Sequence, residues 1–287
     1  MELDVFGLLG KTESQARLFF KKFCWENGRV FCTRCKSYKI YRIMNKKYRC
    51  KRCGYTFHDF SNRWINKLNI SHKQWMWLIK LFELEISSLK IAKQVRLSYP
   101  TVLRAATLLR AAILSNNDFL DGGSQDDLDL DELLWGKYRG KTYTSVSNNQ
   151  VPLIGILKED GMVKVRYIIC DEAEFKLMKA PHDNKADFLQ SKPGLQSYSY
   201  LLCEDFQSLK TGNGTYSPDS RRNMNGIESF LSFAKERLLK FHGISREKFF
   251  LYMKEMEYRY NHRQDDLFVL FVRNLCALLP FQMKKPL

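Results

Sequence analysis

Residues 32–53 read CTRCKSYKIYRIMNKKYRCKRC, and this stretch contains two Cys-x-x-Cys pairs separated by fourteen residues. Each pair lets two thiolates hold one ion from a tight turn, and two such pairs complete a tetrahedral zinc site. Four thiolates leave no open position for water, so we expect a structural zinc ion rather than a catalytic one. Glycine tolerates a positive φ, so Gly54 suits the turn that follows the second pair. The expected ligands are Cys32, Cys35, Cys50 and Cys53.

The other four of the eight cysteines lack such spacing, and we expect them to be buried core thiols. They are Cys24, Cys170, Cys203 and Cys276. Residues 1–10 have no basic segment typical of a signal peptide, and the apolar stretches 267–272 and 275–281 are too short to span a bilayer. The sequence therefore predicts a soluble, intracellular protein, in which disulfides are rare.

Positive charge is concentrated in the first part of the chain. Residues 1–120 hold 23 Lys and Arg against 8 Asp and Glu, whereas residues 121–287 hold 24 against 23. Counterion release would drive such a surface to bind nucleic acid even without sequence recognition. A merely soluble basic protein is the alternative interpretation. Within the cysteine stretch we expect DNA contacts from Lys46, Lys47 and Arg52.

Helical periodicity begins after the cysteine stretch. Apolar residues recur at i, i+3, i+4 and i+7 after a possible cap at Ser71, namely at Trp75, Leu78, Ile79 and Phe82. A second helix is predicted over residues 88–95, and a third begins at Tyr99 after a cap at Ser98 and extends to about residue 114. This spacing fits a helix-turn-helix whose third helix presents Tyr99, Thr101 and Arg104 to DNA. A plain helical bundle would show the same stripes.

The second half changes period after a polar linker predicted over residues 116–129. Strands are predicted over 128–134, 151–157, 163–170 and 198–203, with a hairpin turn at 159–161. Helices follow over 227–239 and 246–260. Strands followed by helices indicate an α/β layer with a mixed sheet.

Carboxylates stand at the ends of these elements. Asp131 lies in the first predicted strand, Glu204 and Asp205 stand at the end of the predicted strand 198–203, and Glu228 is predicted in the first turn of a helix. Divalent ions that act on phosphodiesters prefer such oxygen ligands. Acidic residues in these places are usually solvated or capping, so spacing alone leaves both interpretations open. Two polar residues share the helix face of Glu228, namely Asn225 and Lys235.

Four stretches of the chain resemble bacterial insertion-sequence DDE transposases of the Merlin-related, ISXO-like class: residues 32–57, 91–104, 130–137 and 223–263. The last is the most specific, because it contains Asn-Gly-Ile-Glu and a later Tyr-Arg-Tyr-Asn. The resemblance implies a multidomain α+β protein located in the bacterial cytoplasm or nucleoid. Its expected domains are a zinc ribbon with an amino-terminal helix over 1–65, a helix-turn-helix over 66–117, and an RNase H-like catalytic domain with a mixed sheet over 118–287.

Position by position, the resemblance matches Asp131 to the first metal-binding aspartate and Glu228 to the third acidic ligand, with Asn225 and Lys235 accompanying it. The second acidic position falls on Glu204, with Asp205 one step late. These carboxylates would hold two Mg²⁺ or Mn²⁺ ions. The chain departs from the family pattern in its second acidic residue and in residues 211–219, which lack the expected histidine.

The first functional hypothesis is therefore a transposase that binds the terminal inverted repeats of an insertion sequence and catalyses metal-dependent cleavage and transfer of its DNA strands. It would act on double-stranded DNA as a homodimer or larger multimer, and no membrane partner is expected. The second is a degenerate or domesticated transposase that binds DNA and has lost strand transfer, as the altered second motif would allow. The third is a zinc-ribbon transcription-associated factor, which the 225–235 match disfavours.

Overall fold

The structure is a computed structural model, and it describes Gly7 and residues 10–25, 27–118, 150–159, 161–171, 200–202, 208–210, 218–241, 244 and 246–280. The chain divides into two compact units. The first comprises Met1–Leu134 together with Gln264–Leu287, and the second comprises Trp135–Arg263. In the described part, no helix combines the length and apolar character that a membrane span requires.

The first unit begins with helix α1, Glu13–Cys24, which starts at a reciprocal cap. The Thr12 hydroxyl accepts the Gln15 N–H at 3.3 Å, and the Gln15 side chain accepts the Thr12 N–H at 2.9 Å. An antiparallel sheet of order β1-β2-β3 follows. Strands this short bury little apolar surface, so the sheet depends on its metal ligands and on α1. The strands are Ile40–Ile43, Lys47–Cys50 and Thr56–Phe57.

Three helices follow the sheet at the predicted places: α2 over His72–Glu83, α3 over Ser88–Val95 and α4 over Tyr99–Asp118. Ser71 caps α2 as expected, and α3 ends at Arg96, whose φ of 55° is left-handed. The predicted start of the linker at residue 116 is wrong, because α4 continues through it. The Asn116 side chain donates to the Asn274 carbonyl at 3.2 Å, which gives this last turn a partner.

The second unit contains a sheet of order β5-β4-β6-β7, formed by Gln150–Glu159, Met162–Asp171, Tyr200–Leu202 and Ser208–Lys210 as β4 to β7. Its described pairings are all antiparallel. The hairpin turn at 159–161 is confirmed, since Glu159 pairs with Met162 and Gly161 has a φ of 79°. The predicted strand at 128–134 lies outside the described residues, and the mixed sheet stays a prediction.

Helix α5 spans Pro218–Leu238, so the predicted start at residue 227 is wrong and Glu228 is not in the first turn. Proline is well suited to open a helix, because its fixed φ is helical and its missing N–H would have no partner there. Gly226 lies inside this helix, where a glycine costs only about 1 kcal/mol that packing can offset.

Helix α6, Arg246–Asn261, supplies polar side chains to the outer edge of β5. Asn261 Oδ1 accepts the Val163 N–H at 3.0 Å, and Asn261 Nδ2 donates to the Val163 carbonyl at 2.7 Å. Beside it, Glu257 accepts the Val165 N–H at 3.0 Å, and Lys254 donates to the Val165 carbonyl at 3.1 Å. Because β5 is an edge strand of the described sheet, these contacts satisfy ladder groups that would otherwise lack partners.

The last helix, α7 over Leu267–Cys276, packs in the first unit against α1, α2 and α4. Phe271 is fully buried, and its ring centroid lies 5.3 Å from that of Phe82. The ring of Phe268 stacks on that of Phe19, with 6.0 Å between the ring centroids. Helix α7 therefore packs into the core of the first unit. The domain expected from the resemblance, residues 118–287, had grouped it with the second unit.

Asp59 is the centre of a buried polar network between α1 and the ribbon sheet. Its carboxylate is 1% exposed and accepts from Trp25 Nε1 at 2.9 Å, Arg17 Nη2 at 3.1 Å and Tyr48 Oη at 3.2 Å. A buried carboxylate is tolerated only when it is paired and hydrogen-bonded. The network therefore fixes how the ribbon packs on α1.

Arg63 joins the same region to the ends of two helices. Its guanidinium donates to the carbonyls of Cys24 and Cys276, at the carboxyl ends of α1 and α7, and lies 4.5 Å from the Trp25 ring. Helix carboxyl ends carry unsatisfied carbonyls and partial negative charge, so a buried cation is stabilised there. The chain before α2 is thereby tied to the carboxy-terminal helix.

Replacement of Phe271 by Ala should lower the free energy of unfolding by about 3–5 kcal/mol, because it leaves a cavity among three helices. Denaturant unfolding of the full chain, followed by circular dichroism, measures this loss. Leu239→Ala is the matched control, since Leu239 is 67% exposed and should cost little. A loss below about 1 kcal/mol for Phe271→Ala would contradict the placement of α7 in the core.

Candidate functional site

The four predicted zinc ligands converge at one point of the ribbon. The Sγ atoms of Cys32, Cys35, Cys50 and Cys53 all lie within 4.8 Å of one another. Two pairs, Cys32 with Cys53 and Cys35 with Cys50, are 3.6 Å apart. Thiolates 2.3 Å from a tetrahedral zinc ion stand about 3.8 Å from each other, so the cluster fits zinc. A disulfide would require sulfurs only about 2 Å apart.

The two halves of the cluster have the same backbone design. Lys36 N donates to the Cys32 carbonyl at 2.8 Å, and Gly54 N donates to the Cys50 carbonyl at 3.0 Å. Both donors have a positive φ, 59° at Lys36 and 70° at Gly54. The turn needs this left-handed residue to bring both thiolates to one side. Glycine adopts it without cost, whereas a lysine is strained there.

The thiol groups of the cluster differ in acidity. Burial raises the pKa of Cys32 to about 12. Burial acts in the same direction on Cys50, but hydrogen bonds from the backbone of Cys53 and Arg52 outweigh it and lower that pKa to about 6. A divalent cation favours the thiolate form of every ligand, so metal binding would release protons and be weakened at low pH.

The ribbon surface around this cluster is cationic and partly aromatic. Lys46, Lys47 and Arg52, the predicted DNA contacts, are all exposed. Tyr38 and Tyr41 are also exposed, at 67% and 43%. Exposed aromatic rings among cations are typical of surfaces that meet nucleic acid. The structure places these side chains where a polyanion can reach them.

The amino-terminal end of α4 is the exposed part of that helix. Tyr99 is 45% exposed and Arg104 is exposed, whereas α4 is almost wholly buried from Ala105 onward. The Thr101 hydroxyl lies 2.7 Å from Ser98 Oγ, which also accepts the Thr101 N–H. Thr101 thus acts first as part of the helix cap. The geometry leaves Tyr99 and Arg104 accessible, as reading by the first turns of a helix requires.

Only part of the predicted catalytic set lies among the described residues. Asp131, Glu204 and Asp205 lie outside them, whereas Glu228 lies within them. Glu228 and Lys235 are exposed on α5, on one face seven residues apart, while the opposite face is buried. Asn225 lies on the same helix, three residues before Glu228.

The Tyr-Arg-Tyr-Asn segment at the end of α6 holds the helix that carries Glu228. Tyr260 Oη donates to the Gly226 carbonyl at 3.1 Å, and the Tyr260 ring lies 5.4 Å from Phe230 and 5.5 Å from Phe233. These contacts are edge-on, an orientation that aromatic rings favour. This segment carries the resemblance stated above, but its packing role could not be predicted from the sequence.

Replacement of Cys35 by Ser should remove about one zinc ion per chain and unfold the ribbon, since a structural site contributes folding energy directly. Atomic absorption on the purified full chain measures the zinc content. Cys24→Ala provides the control, because Cys24 is buried outside the cluster and should leave the zinc content unchanged. Equal zinc contents in both variants would refute the four-cysteine site.

Comparisons with known proteins give matches in the ribbon region and in the region that contains α5 and α6. A transposase zinc-ribbon domain matches residues 11–56, and an ISXO2-like transposase domain matches residues 194–261. An uncharacterized transposase-like protein of Haemophilus influenzae is 34% identical over 80 residues, which is 28% of this chain and 65% of that protein. The chain thus spans less than two thirds of that relative's length. No solved structure matches.

The chain therefore contains a zinc-ribbon region with a four-cysteine cluster suited to structural zinc and a later transposase-domain region, and its resemblance to IS1595-family, ISXO-like transposases is confirmed.

Proposed function

We propose that the protein is a DNA transposase that binds the terminal inverted repeats of an insertion sequence and cleaves and transfers their strands. One observation carries the proposal: a transposase zinc-ribbon match and a DDE-type transposase-domain match occur in the same chain. The second match includes α5, and with it Glu228.

DNA binding is assigned to the first unit. Its described residues carry the cationic ribbon surface and the exposed start of α4. Arg104 and Tyr99 are proposed to read the groove in a helix-turn-helix made of α3 and α4, while Lys46, Lys47 and Arg52 contact phosphates. The left-handed Arg96 between the helices supports this arrangement, because it turns the chain sharply without glycine.

The chemistry is assigned to Asp131, Glu228 and one of Glu204 and Asp205. Two Mg²⁺ or Mn²⁺ ions held by these carboxylates would activate the attacking oxygen and stabilise the leaving one. In the first step, water attacks phosphorus and the 3′-oxygen leaves as a hydroxyl. In the second, that 3′-hydroxyl attacks a target phosphodiester and displaces the target's own 3′-oxygen. An RNase H-like sheet is proposed to bring the carboxylates together.

Two element ends must meet in one complex, so a homodimer or larger multimer on DNA belongs to the proposal. On α5, Lys235 is suited to contact a DNA phosphate beside Glu228, because both side chains are exposed on one face. Tyr260 of α6 supports α5 through its hydrogen bond to the Gly226 carbonyl.

The proposal predicts Mg²⁺- or Mn²⁺-dependent nicking and strand transfer on duplex DNA that carries the gene's own flanks. Asp131→Ala and Glu228→Gln should each lower the nicking rate at least about a hundredfold, because each removes a charge required in the transition state. Gel analysis of end-labelled DNA measures the rates. Glu236→Gln is the matched control on the same helix, and it should nick like the wild type.

Wild-type protein that neither binds nor nicks this DNA would overturn the proposal. Tight binding without cleavage in any variant would instead indicate a domesticated DNA-binding protein. Nicking that survives Asp131→Ala and Glu228→Gln would reject the assignment of the acidic residues.

A further inference from the structure

A cationic pocket of about 630 Å³ lies in the first unit, beside the ribbon hairpin and away from the four cysteines. It is bordered by the turn that joins β1 to β2, by the 3₁₀ turn Trp64–Lys67 and the residues after it, and by the start of α2.

The described residues that line the pocket include no carboxylate. At its wall, Arg17 is ion-paired with Asp59 at 3.1 Å, and His72 Nδ1 lies 2.7 Å from a carboxylate oxygen of Glu13. Three lysines line the rim, and three asparagines stand among them, whose side-chain amides can act as donors. These six residues are Lys46, Lys47, Lys67, Asn45, Asn66 and Asn69.

The electrostatic surroundings of His58 agree with a positive pocket. Burial lowers the pKa of His58, and the nearby cations Arg17 and Lys47 lower it further, although Asp59 opposes them. His58 Nδ1 accepts the Phe60 N–H at 3.2 Å, which leaves Nε2 as the atom able to carry a proton. A neutral histidine can then donate to an anion without adding charge.

The backbone of the hairpin turn is strained where it forms the rim. Asn45 and Lys46 have positive φ values of 61° and 56°, and neither is glycine. Such conformations are costly for residues with a side chain, and asparagine tolerates them better than lysine does. The turn thus presents Lys46 and Lys47 in succession from a fixed backbone.

The apolar residues that line the pocket indicate whether its ligand is a phosphate group or a stacked nucleotide base. Phe60, Ile65 and Trp75 line the pocket but are only 4%, 3% and 0% exposed. A stacked base would gain little from surface that is already covered, because stacking requires an accessible ring face. The lining residues that are exposed are all polar or cationic, which suits an anion with several acceptor oxygens; they are Asn45, Lys46, Lys47, Asn66 and Asn69.

We propose that this pocket binds a phosphate of the DNA backbone, held by Lys46, Lys47 and Lys67 at the rim and by the amides of Asn66 and Asn69. The inference rests on the DNA-binding part of the proposed function and gives it a defined anchor. A phosphate fixed here would set the register of the ribbon along the duplex without reading sequence.

The test compares two double variants of the full chain, Lys46→Gln with Lys47→Gln, and Lys39→Gln with Lys51→Gln. Both pairs remove two exposed charges from the same ribbon, but only the first pair lines the pocket. Affinity for duplex DNA from the gene's flanks is measured by fluorescence anisotropy at several salt concentrations. The pocket pair should bind about tenfold more weakly, with a salt slope smaller by about 1, whereas the control pair should change less than about threefold.

A second arm identifies the ligand atom. Single neutral methylphosphonate linkages are placed along the duplex, and one position should weaken the wild type while leaving the pocket pair unaffected. Zinc content and circular dichroism check that both pairs are folded. Equal losses of DNA affinity in the two pairs would show that the charge acts diffusely and would overturn the pocket as a phosphate site. The absence of any linkage position with this effect would overturn it as well. A wild-type protein that binds no DNA would overturn the proposed function itself.

Discussion

The first unit depends on one constraint, the satisfaction of two charged side chains that are buried close together in the chain. Asp59 is 1% exposed and its carboxylate pairs with Arg17 of α1, whereas Arg63 is 4% exposed and donates to the backbone carbonyls of Asp59, Cys24 and Cys276. A buried charge that loses its partner typically costs about 3–5 kcal/mol. A ribbon this small cannot bury such groups alone, so it packs on α1 and shares a core with α7.

Much of this architecture follows from local sequence. The zinc ligands could be predicted because Cys-x-x-Cys spacing fixes geometry within a few residues, and α2 could be predicted because its cap and its apolar period agree. The start of α5 was predicted at residue 227, whereas the helix begins at Pro218 and includes Gly226, whose carbonyl is bonded by Tyr260 of α6. The position of α7 was beyond sequence reasoning, since an amphipathic helix does not specify its partner. The Asp59 and Arg63 network has no pattern along the chain at all.

The predictions of functional residues also divide into those that depend on local spacing and those that depend on contacts between distant elements. Residues that act through short-range spacing, such as the four cysteines, meet in the structure as predicted. The acidic residues must converge from distant elements, and of them only Glu228 falls in the described part, on an exposed helix face supported by Tyr260. The edge contacts of α6 explain why polar residues are needed in a helix that packs on a sheet: they complete the hydrogen bonds of β5.

The zinc-held amino-terminal region is proposed to be the part of the protein that binds DNA. This can be tested by measuring the DNA affinity of the full chain with zinc bound, after zinc removal by a chelator, and after zinc is restored, all without Mg²⁺. Zinc removal should weaken binding at least about tenfold and added Zn²⁺ should restore it, because the ribbon loses its fold without the ion. A DNA affinity that does not depend on zinc would show that the folded ribbon is not needed for binding.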